Sequence, residues 1–329
     1  NVVASTIVNR QKIIIVGDFD ADGATSTALM FHCLRACEAD VDYLVPNRFE
    51  FGYGLTPEIG AVAAKMQPAL IVTVDNGMSS VDGVGAANAL GIKTVITDHH
   101  LPGDVVPAAT AIVNPNQTGC AFPSKALAGV GVSFYLLSAV RKVLRQKSWF
   151  EQKQLSEPLL ADYLDLVALG TIADVVPFDK NNRVLVNEGI RRMRAGEIRP
   201  GIRALLAVSG TNFKKLVSRD IAFGVAPRLN AAGRLEDMSI GIECLLSETD
   251  AGAVVLAEQL DGINKARRSI EDEMKDQAIE IVKAAVASNS ESTKTEKYGV
   301  CLYNASWHQG VVGLIASRIK DRVHRPTIA

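Results

Sequence analysis

The sequence lacks any apolar run of transmembrane length, any secretion signal and any excess of one charge. Without such a run, a membrane-spanning helix is excluded. The first ten residues lack the charged start, apolar stretch and small-residue cleavage site of a secreted precursor. A formal net charge of -1 argues against binding nucleic acid through bulk positive charge, although it leaves room for a local basic groove. We therefore expect a cytoplasmic protein with no membrane partner.

The five cysteines are scattered, odd in number and without a CxxC pair, which is typical of reduced thiols in the cytoplasm. Cys33 and Cys37 lie one helical turn apart, and core packing is the favoured interpretation of that pair. The length of 329 residues allows two domains. The chain starts without Met and stops just after an apolar pattern begins, so we expect both ends to be cuts in a longer protein.

Apolar runs at 13–16, 70–74 and 94–97 alternate with helical patterns, and this alternation predicts a parallel sheet with helices on both faces. The strand at 13–16 is the first predicted element, and 41–45 is a further strand. Helices are predicted at about 23–36, 57–65 and 81–90. The prolines Pro102, Pro107 and Pro115 indicate irregular chain after the last strand. The fold class is therefore α/β.

The rest of the chain is predicted to be mainly helical. The predicted helices of this subregion lie at 130–144, 159–169, 183–194, 201–208 and 239–246. A charged amphipathic pattern over 251–287 predicts one or two long connecting helices, and the polar segment 288–297 predicts a flexible linker. A strand at 300–302 and a helix at 311–319 then begin a second α/β domain. The predicted domains are thus 1–250 (catalytic), 251–297 (connecting helix and linker) and 298–329 (a truncated second domain).

Acidic and histidine residues follow the apolar runs directly. They are Asp18, Asp20 and Asp22 after the first run, Asp75 after the second, Asp98-His99-His100 after the third, and Asp174 after a later apolar stretch. In an open parallel sheet the carboxyl ends of the strands share one edge, where ligands bind. So many like charges cannot share a crevice without cations. We therefore predict a divalent metal site, with two ions, and phosphoester hydrolysis.

Each motif has a simpler alternative when it is taken alone. The Asp18–Asp22 turn could be a calcium loop or a solvated acidic turn, although an EF-hand would need a Glu near its twelfth position. Asp75 could cap a helix. The histidine pair could lie on the surface, or one imidazole could bind metal, oriented by Asp98, while the other contacts a phosphate. Asp174 at a helix C-terminus would be electrostatically unfavourable, which a metal partner would explain.

Three arginines are candidates for phosphate binding, since the guanidinium fork matches phosphate. Arg48 lies near Tyr53, and Arg228 and Arg234 flank a short segment that contains Asn230. Solvated surface arginines are the alternative. The Gly-x-Gly at 129–131 is weak as a dinucleotide motif, and close helix packing explains it better. Trp307 could stack on a base or lie at a domain interface.

Four of these motifs, GDFDADG, TVDNG, TDHH and ALGTIADVVP, together resemble the DHH phosphoesterase family. The segments VPNRFEFGYGL, NPNQTGCAFPSKALAGVGV, PRLNAAGRL and WHQGVVGLIASRI resemble the bacterial exonucleases of that family that are specific for single-stranded DNA. The resemblance covers nearly the whole chain, with the motifs in the same order. The chain departs from those exonucleases in carrying only the start of their second domain and no OB fold, which puts strand affinity and processivity in question.

The resemblance implies a nuclease of DNA repair and recombination that degrades single-stranded DNA from the 5′ end to 5′-mononucleotides. It implies Mn²⁺ or Mg²⁺ at a ligand set of Asp20, Asp22, Asp75, His99 and Asp174, with Asp18 close by and Asp75 bridging. The implied catalytic residues are Asp75, Asp98 and His100, with His100 on the scissile phosphate. The substrate-binding residues are Arg48, Arg228, Asn230 and Arg234.

Single-stranded DNA is the implied main partner, with a single-strand binding protein and a helicase as further candidates. Two other functions remain open. One is a small-molecule phosphatase or pyrophosphatase of the DHH type. The other is a metal-stabilised DNA-binding module without catalysis.

Overall fold

A computed structural model describes residues 1–287 and 298–329, and the predicted linker 288–297 lies outside the described residues. The chain divides into two compact units, 1–261 and 262–329. Among the described residues, no helix combines the length and the apolar composition that crossing a membrane requires.

The first unit is built on a five-stranded sheet in which every strand is parallel to its neighbours. Its strands are β1 (Ile13–Val16), β2 (Val41–Leu44), β3 (Leu70–Val74), β4 (Lys93–Thr97) and β5 (Ala111–Val113). Their order in the sheet is β2-β1-β3-β4-β5, so the order reverses between β1 and β3. In doubly wound sheets a crevice opens at such a reversal, beyond the carboxyl ends of the strands. The predicted parallel α/β sheet is therefore confirmed.

Helices cover both faces of the sheet. The helices of this unit are α1 (Val2–Val8), α2 (Ala21–Ala36), α3 (Pro57–Lys65), α4 (Val81–Ala89), α5 (Gly129–Gln146), α6 (Trp149–Lys153), α7 (Leu164–Ala173), α8 (Lys180–Arg194), α9 (Pro200–Val208), α10 (Ser218–Asp220), α11 (Ala226–Leu235) and α12 (Ser239–Leu246). A π-helical turn at Ile221–Val225 precedes α11. The long helix α13 (Asp250–Ala287) begins in this unit and continues into the second, so the pattern at 251–287 is one helix.

Each strand contributes to two separate cores. Ile13 and Ile15 of β1 pack with α2, α5 and α7 on one face, whereas Ile14 and Val16 pack with α3 and α4 on the other. Because both faces of β1 and β3 are buried, these strands are nearly continuous apolar runs rather than alternating ones. This burial is why β1, β3 and β4 could be predicted from composition alone.

Two elements around the sheet differ from the predicted pattern. Residues before Ile13 form α1, which buries Val3, Ala4 and Ile7 although β-branched residues are weak helix formers. The segment predicted to be irregular between Pro107 and Pro115 contains β5, at the sheet edge. An edge strand of three residues pairs on one side only, so nearby prolines are tolerated.

The second unit contains the remainder of α13 and a small α/β element. Strands β6 (Val300–Cys301) and β7 (Thr327–Ile328) are parallel, and α14 (Val312–Val323) connects them. The indole of Trp307 is buried and its Nε1 donates to Gln277 Oε1 at 2.8 Å. Trp307 therefore packs within its own unit, where a buried ring is poorly placed to stack on a base.

Candidate metal centre

The turn between β1 and α2 holds three aspartates. Asp20 is the N-cap of α2, and its Oδ1 accepts a hydrogen bond from the Gly23 N–H at 2.9 Å. Asp18 and Asp22 are buried on either side of it. A Cβ at position 23 would lie 2.6 Å from the Asp18 carbonyl oxygen, so only glycine allows so tight a turn. The turn therefore presents carboxylates at the carboxyl end of β1.

Asp75 follows β3 in a left-handed conformation, with φ of +62°. This conformation costs a non-glycine residue roughly 1–2 kcal/mol, and such strain is often found at functional sites. The Asp75 N–H donates to the Thr97 carbonyl at 3.0 Å, which ties the residue to β4. The N-cap of α4 is Ser80, so Asp75 does not cap that helix. Its carboxylate is buried and its Oδ1 has no hydrogen-bond partner.

Asp98 holds the histidine pair. Asp98 Oδ1 accepts hydrogen bonds from the N–H groups of His99 and His100 and lies 2.7 Å from His100 Nδ1. Burial would raise the pKa of Asp98, but the bonds from His100 and Met78 outweigh burial and lower it. The contact with the His100 ring raises the pKa of His100. Asp98 therefore binds the ring of His100 and the main chain of both histidines, and its role in orienting a metal-binding imidazole stays a prediction.

The ring of His99 turns its Nε2 toward the carboxylates. Burial and the charge of His100 lower the pKa of His99, which favours the neutral imidazole. His99 Nε2 has no hydrogen-bond partner. A neutral imidazole with an unpaired ring nitrogen suits a histidine that binds metal.

The carboxylates converge on that nitrogen. His99 Nε2 lies 3.2 Å from Asp75 Oδ1, 3.5 Å from Asp174 Oδ2 and 4.0 Å from Asp22 Oδ2. Side chains from four separate stretches of chain thus meet at one point. Three sets have ligand atoms mutually within 4.8 Å: Asp75, His99 and His100; Asp22, His99 and Asp174; and Asp18, Asp20 and Asp75.

The electrostatics of this cluster favour a bound cation. Burial, with the charge of Asp20, raises the pKa of both Asp18 and Asp174 to about 7. Burial and neighbouring carboxylates also raise the pKa values of Asp22 and Asp75. Neutral His99 offers these acids a lone pair rather than a positive charge, so a bound cation would lower the cost of keeping them ionised. Carboxylate oxygens with one imidazole nitrogen form a donor set that suits Mn²⁺ or Mg²⁺, and the residues fit such ions.

The start of α5 contributes to the site, which the sequence did not reveal. The N–H groups of Gly129 and Val130 donate to the two oxygens of Asp22 at 2.6 and 3.0 Å. A Cβ on Gly129 would lie 2.5 Å from Asp75 Oδ1. The Gly-x-Gly motif therefore lets a helix N-terminus reach two buried carboxylates, beyond helix packing. The sequence does carry a signal for this contact: Ala128, at the N-cap of α5, has no side chain that could bind the first N–H groups of the helix, so these groups need another partner.

Two of the four predicted substrate-binding residues, Arg48 and Asn230, have side-chain contacts with the Asp18–Asp22 turn. The Arg48 guanidinium stacks over the Phe19 ring, 4.0 Å from its centroid. Burial and the positive charge of Arg234 lower the pKa of Arg48, which indicates that the two arginines are neighbours. Asn230 Oδ1 accepts a hydrogen bond from the Ala21 N–H at 2.8 Å. Arg234 follows Asn230 by one turn of α11, on the same face.

Arg228 makes its contacts elsewhere. It forms an ion pair with Asp261 at 2.7 Å and donates to the Gly224 carbonyl. Arg228 precedes Asn230 by two residues, about 200° around the helix axis, so it points away from the Asp18–Asp22 turn. The structure does not bring Arg228 to the site, and its predicted role in substrate binding has no support from its position.

Tyr53 lies at the rim of the site, although it had no assigned role. Its hydroxyl is 3.5 Å from the Asp75 carbonyl oxygen. Its ring packs edge-on against Phe19 and against His100, with centroids 5.9 and 6.3 Å apart. The side chain is 42% exposed, so one edge of this aromatic ring remains open to a ligand.

Comparisons with known proteins agree with this geometry. Residues 12–171 match the model of the DHH family, N-terminal domain. The chain is 55% identical to the single-stranded-DNA-specific exonuclease RecJ of Dickeya dadantii over 329 residues, which is all of this chain and 56% of that protein. It is 32% identical, with a TM-score of 0.83, to a crystal structure of exonuclease RecJ bound to manganese, covering 99% of this chain and 77% of that one.

A third relative is RecJ of Thermus thermophilus in complex with Mg²⁺, with 29% identity and a TM-score of 0.71 over 99% of this chain and 41% of that one. The chain thus spans about half the length of the curated relatives it matches. The likeness is nevertheless continuous along the whole of this chain.

Proposed function

Because this chain belongs to the DHH family and, within it, to the RecJ exonucleases, we propose that it is the catalytic part of a metal-dependent exonuclease that acts on single-stranded DNA. Degradation from the 5′ end to 5′-mononucleotides, in DNA repair and recombination, is part of this proposal. One observation carries it: His99 Nε2 and carboxylate oxygens of Asp22, Asp75 and Asp174 meet within 4.0 Å although none of them forms a hydrogen-bonded pair with another.

The proposed ligands of Mn²⁺ or Mg²⁺ are Asp18, Asp20, Asp22, Asp75, His99 and Asp174. When bound, two such ions would activate water and neutralise charge at the departing oxygen. The membership of Asp75 in two of the three ligand sets supports a bridging role. The bonds from α5 to Asp22 would keep this ligand in place as substrate enters and leaves.

His100 is the proposed contact to the scissile phosphate. Its Nδ1 bonds Asp98, and this contact raises the pKa of the ring, which favours the protonated form whose Nε2–H can donate to a phosphate oxygen. Its side chain is half exposed, whereas that of Asp98 is buried. Asp98 therefore acts on the reaction through His100. A protonated imidazole fixed by a buried carboxylate suits a substrate that carries negative charge.

Arg48, Asn230 and Arg234 are proposed to hold the 5′ end of the strand. The stack of Arg48 on Phe19 supports this role, since it fixes the guanidinium beside the Asp18–Asp22 turn. A terminal phosphate bound there would place the first phosphodiester near the metal ligands. This end-binding group favours an exonuclease over the alternative, a small-molecule phosphatase or pyrophosphatase.

The test compares two substrates in the presence of Mn²⁺: a 5′-labelled single-stranded oligonucleotide and inorganic pyrophosphate. We expect release of labelled mononucleotide, with no phosphate released from pyrophosphate. Asp75→Asn should abolish release, whereas Asp82→Asn, on an exposed carboxylate in the first turn of α4, should leave it unchanged. Hydrolysis of pyrophosphate alone would favour the phosphatase, and strand binding without hydrolysis of any phosphoester would favour a DNA-binding module.

The further predicted partners, a single-strand binding protein and a helicase, are also part of this proposal, as is a cytoplasmic location. Pull-down of each purified partner with the complete protein, at physiological salt, tests the first two. Fractionation of the source cells tests the third.

A further inference from the structure

We propose that the segment 114–127, here called the His99 clamp, positions His99 for metal binding and that Asn116 is its decisive side chain. This inference rests on the metal centre of the proposed function. It assigns a role to residues that contribute no ligand atom to the centre. The clamp follows β5, which lies next to β4 in the sheet, so it begins beside the strand that leads to His99.

The first part of the clamp holds the backbone of the histidine pair. The Asn116 side-chain amide donates to the His99 carbonyl at 2.5 Å. The Asn114 amide donates to the His100 carbonyl at 2.8 Å, and its Oδ1 accepts from the Asn116 N–H at 2.8 Å. Each histidine carbonyl is therefore bound by its own asparagine, and the two asparagines are bound to each other.

The clamp holds the main chain of His99. Asn116 binds the His99 carbonyl, and the His99 N–H donates to Asp98 Oδ1 at 2.7 Å. From this fixed main chain the ring reaches the carboxylates, where Nε2 lies 3.2 Å from Asp75 Oδ1. Fixing both main-chain groups of His99 restricts where its ring can lie.

Hydrogen bonds within the clamp keep its two ends at a set distance. The Lys125 ammonium donates to the carbonyls of Pro115 and Cys120. The Gln117 amide donates to the carbonyls of Ile112 and Asn114 at 3.2 Å each. The loop has no helix or strand of its own, so these bonds replace a regular ladder.

A cavity of about 240 Å³ lies next to the clamp, lined by residues that include Asn114, Phe122 and Leu127 and by Tyr135 of α5. Phe122 packs edge-on against Tyr135, with ring centroids 5.1 Å apart, and Leu127 is buried. Apolar contacts therefore anchor the later part of the clamp, whereas the hydrogen bonds of Asn114 and Asn116 fix the part next to the histidines.

The test measures Mn²⁺ affinity by calorimetric titration of the metal-free protein, without DNA. Asn116→Ala should weaken Mn²⁺ binding about tenfold or more, in the range seen when groups that orient metal ligands are removed. Raising the Mn²⁺ concentration in proportion should restore the exonuclease rate, which it would not do for a folding defect. Asn88→Ala is the matched control, because its amide also donates to a loop carbonyl, that of Ala108 at 2.9 Å. We expect unchanged Mn²⁺ affinity in the control.

Equal Mn²⁺ affinity in wild type and Asn116→Ala would overturn the inference, as would an equal loss in Asn88→Ala. If Asn116→Ala does not fold, Asn116→Asp keeps the size of the side chain but cannot donate to the His99 carbonyl, and it should show the same loss. Unchanged affinity in that variant would also overturn the inference. A wild-type protein that binds Mn²⁺ but degrades no DNA would refute the proposed function. The comparison of Mn²⁺ affinities would still test the role of Asn116, because it does not depend on DNA degradation.

Discussion

Gly129→Ala adds one methyl group at the point where α5 meets the two buried carboxylates. The new Cβ would lie 2.5 Å from Asp75 Oδ1 and 2.7 Å from its Cγ. To reach ordinary van der Waals contact, the helix start or Asp75 must retreat by roughly 1 Å. Asp75 has little freedom to retreat, because its backbone is already in a left-handed conformation and bonded to Thr97. The helix start would therefore move, and it carries the two N–H groups that bind Asp22.

The expected effect on function is larger than the effect on stability. A displacement of about 1 Å in a positioned group can cost roughly 100-fold in rate, so we expect kcat/KM on single-stranded DNA to fall by about that factor. Overpacking costs about 1–3 kcal/mol, and the better helix propensity of alanine offsets up to about 1 kcal/mol. The free energy of unfolding should therefore fall by about 1–2 kcal/mol, which leaves the protein folded.

The measurements are urea unfolding of the metal-free protein, Mn²⁺ titration and release of label from a 5′-labelled strand. Gly85→Ala is the matched control, since Gly85 also lies in a helix but a Cβ there meets nothing within 4 Å. That change should stabilise the protein by about 0.5–1 kcal/mol and leave activity unchanged. A Gly129→Ala variant with wild-type Mn²⁺ affinity and rate would refute the reasoning, because it would show that α5 does not position the carboxylates.

Three further predictions concern residues outside the carboxylate cluster. Burial and the charge of Arg199 lower the pKa of His32 to about 4, so between pH 6.5 and 4 the unfolded chain binds a proton that the folded protein rejects. As the pH falls over that range, His32 should lower the free energy of unfolding by up to about 3 kcal/mol. Urea titrations at several pH values should show a weaker pH dependence of stability in His32→Gln than in wild type, and an identical pH dependence would contradict the prediction. Val175 has φ of +60° and is 84% exposed, a left-handed conformation that is costly for valine and not for glycine. Val175→Gly should therefore raise the free energy of unfolding by about 1 kcal/mol. A lower free energy of unfolding in the variant would show that the conformation is not strained. Arg48→Ala should reduce the preference for 5′-phosphorylated ends about tenfold, a loss of one charged contact. Arg228→Ala should instead lower the free energy of unfolding by about 3 kcal/mol, because it leaves Asp261 without this partner. It should not change the preference for 5′-phosphorylated ends. An equal loss of that preference in Arg48→Ala and Arg228→Ala would contradict the different roles of the two arginines.

Sequence patterns predicted those elements whose own residues are enough to indicate their structure. The strand Ile13–Val16 is apolar at every position because both of its faces are buried, and Leu70–Val74 is similar. The edge strand Ala111–Val113 is short, only partly buried and close to prolines, so it carries no such signal. The helix at Val2–Val8 is made of residues that favour strands, and its packing in the first core overrides that preference.

In the candidate site, too, some features could be predicted from the sequence and others could not. The positions of Asp18, Asp75 and His99 just after strands could be read locally, and their assignment as ligands stays a prediction. The contacts that orient them could not be predicted, because each joins residues far apart in the chain. Gly129 reaches Asp22 across 107 positions, and a glycine in sequence does not indicate which neighbour needs the space.

By itself the sequence determined that apolar strands end in carboxylates and imidazoles, because hydrophobicity and residue order are local properties of a chain. Only the tertiary structure decided that β1 and β3 are neighbours, which brings Asp18, Asp20 and Asp75 together, and that β4 lies beside β3, which puts His99 3.2 Å from Asp75. It also decided that Arg228 points away from this group while Asn230 faces it. The order of strands and the rotation of a helix follow from how buried surfaces pack, and no single segment encodes that outcome.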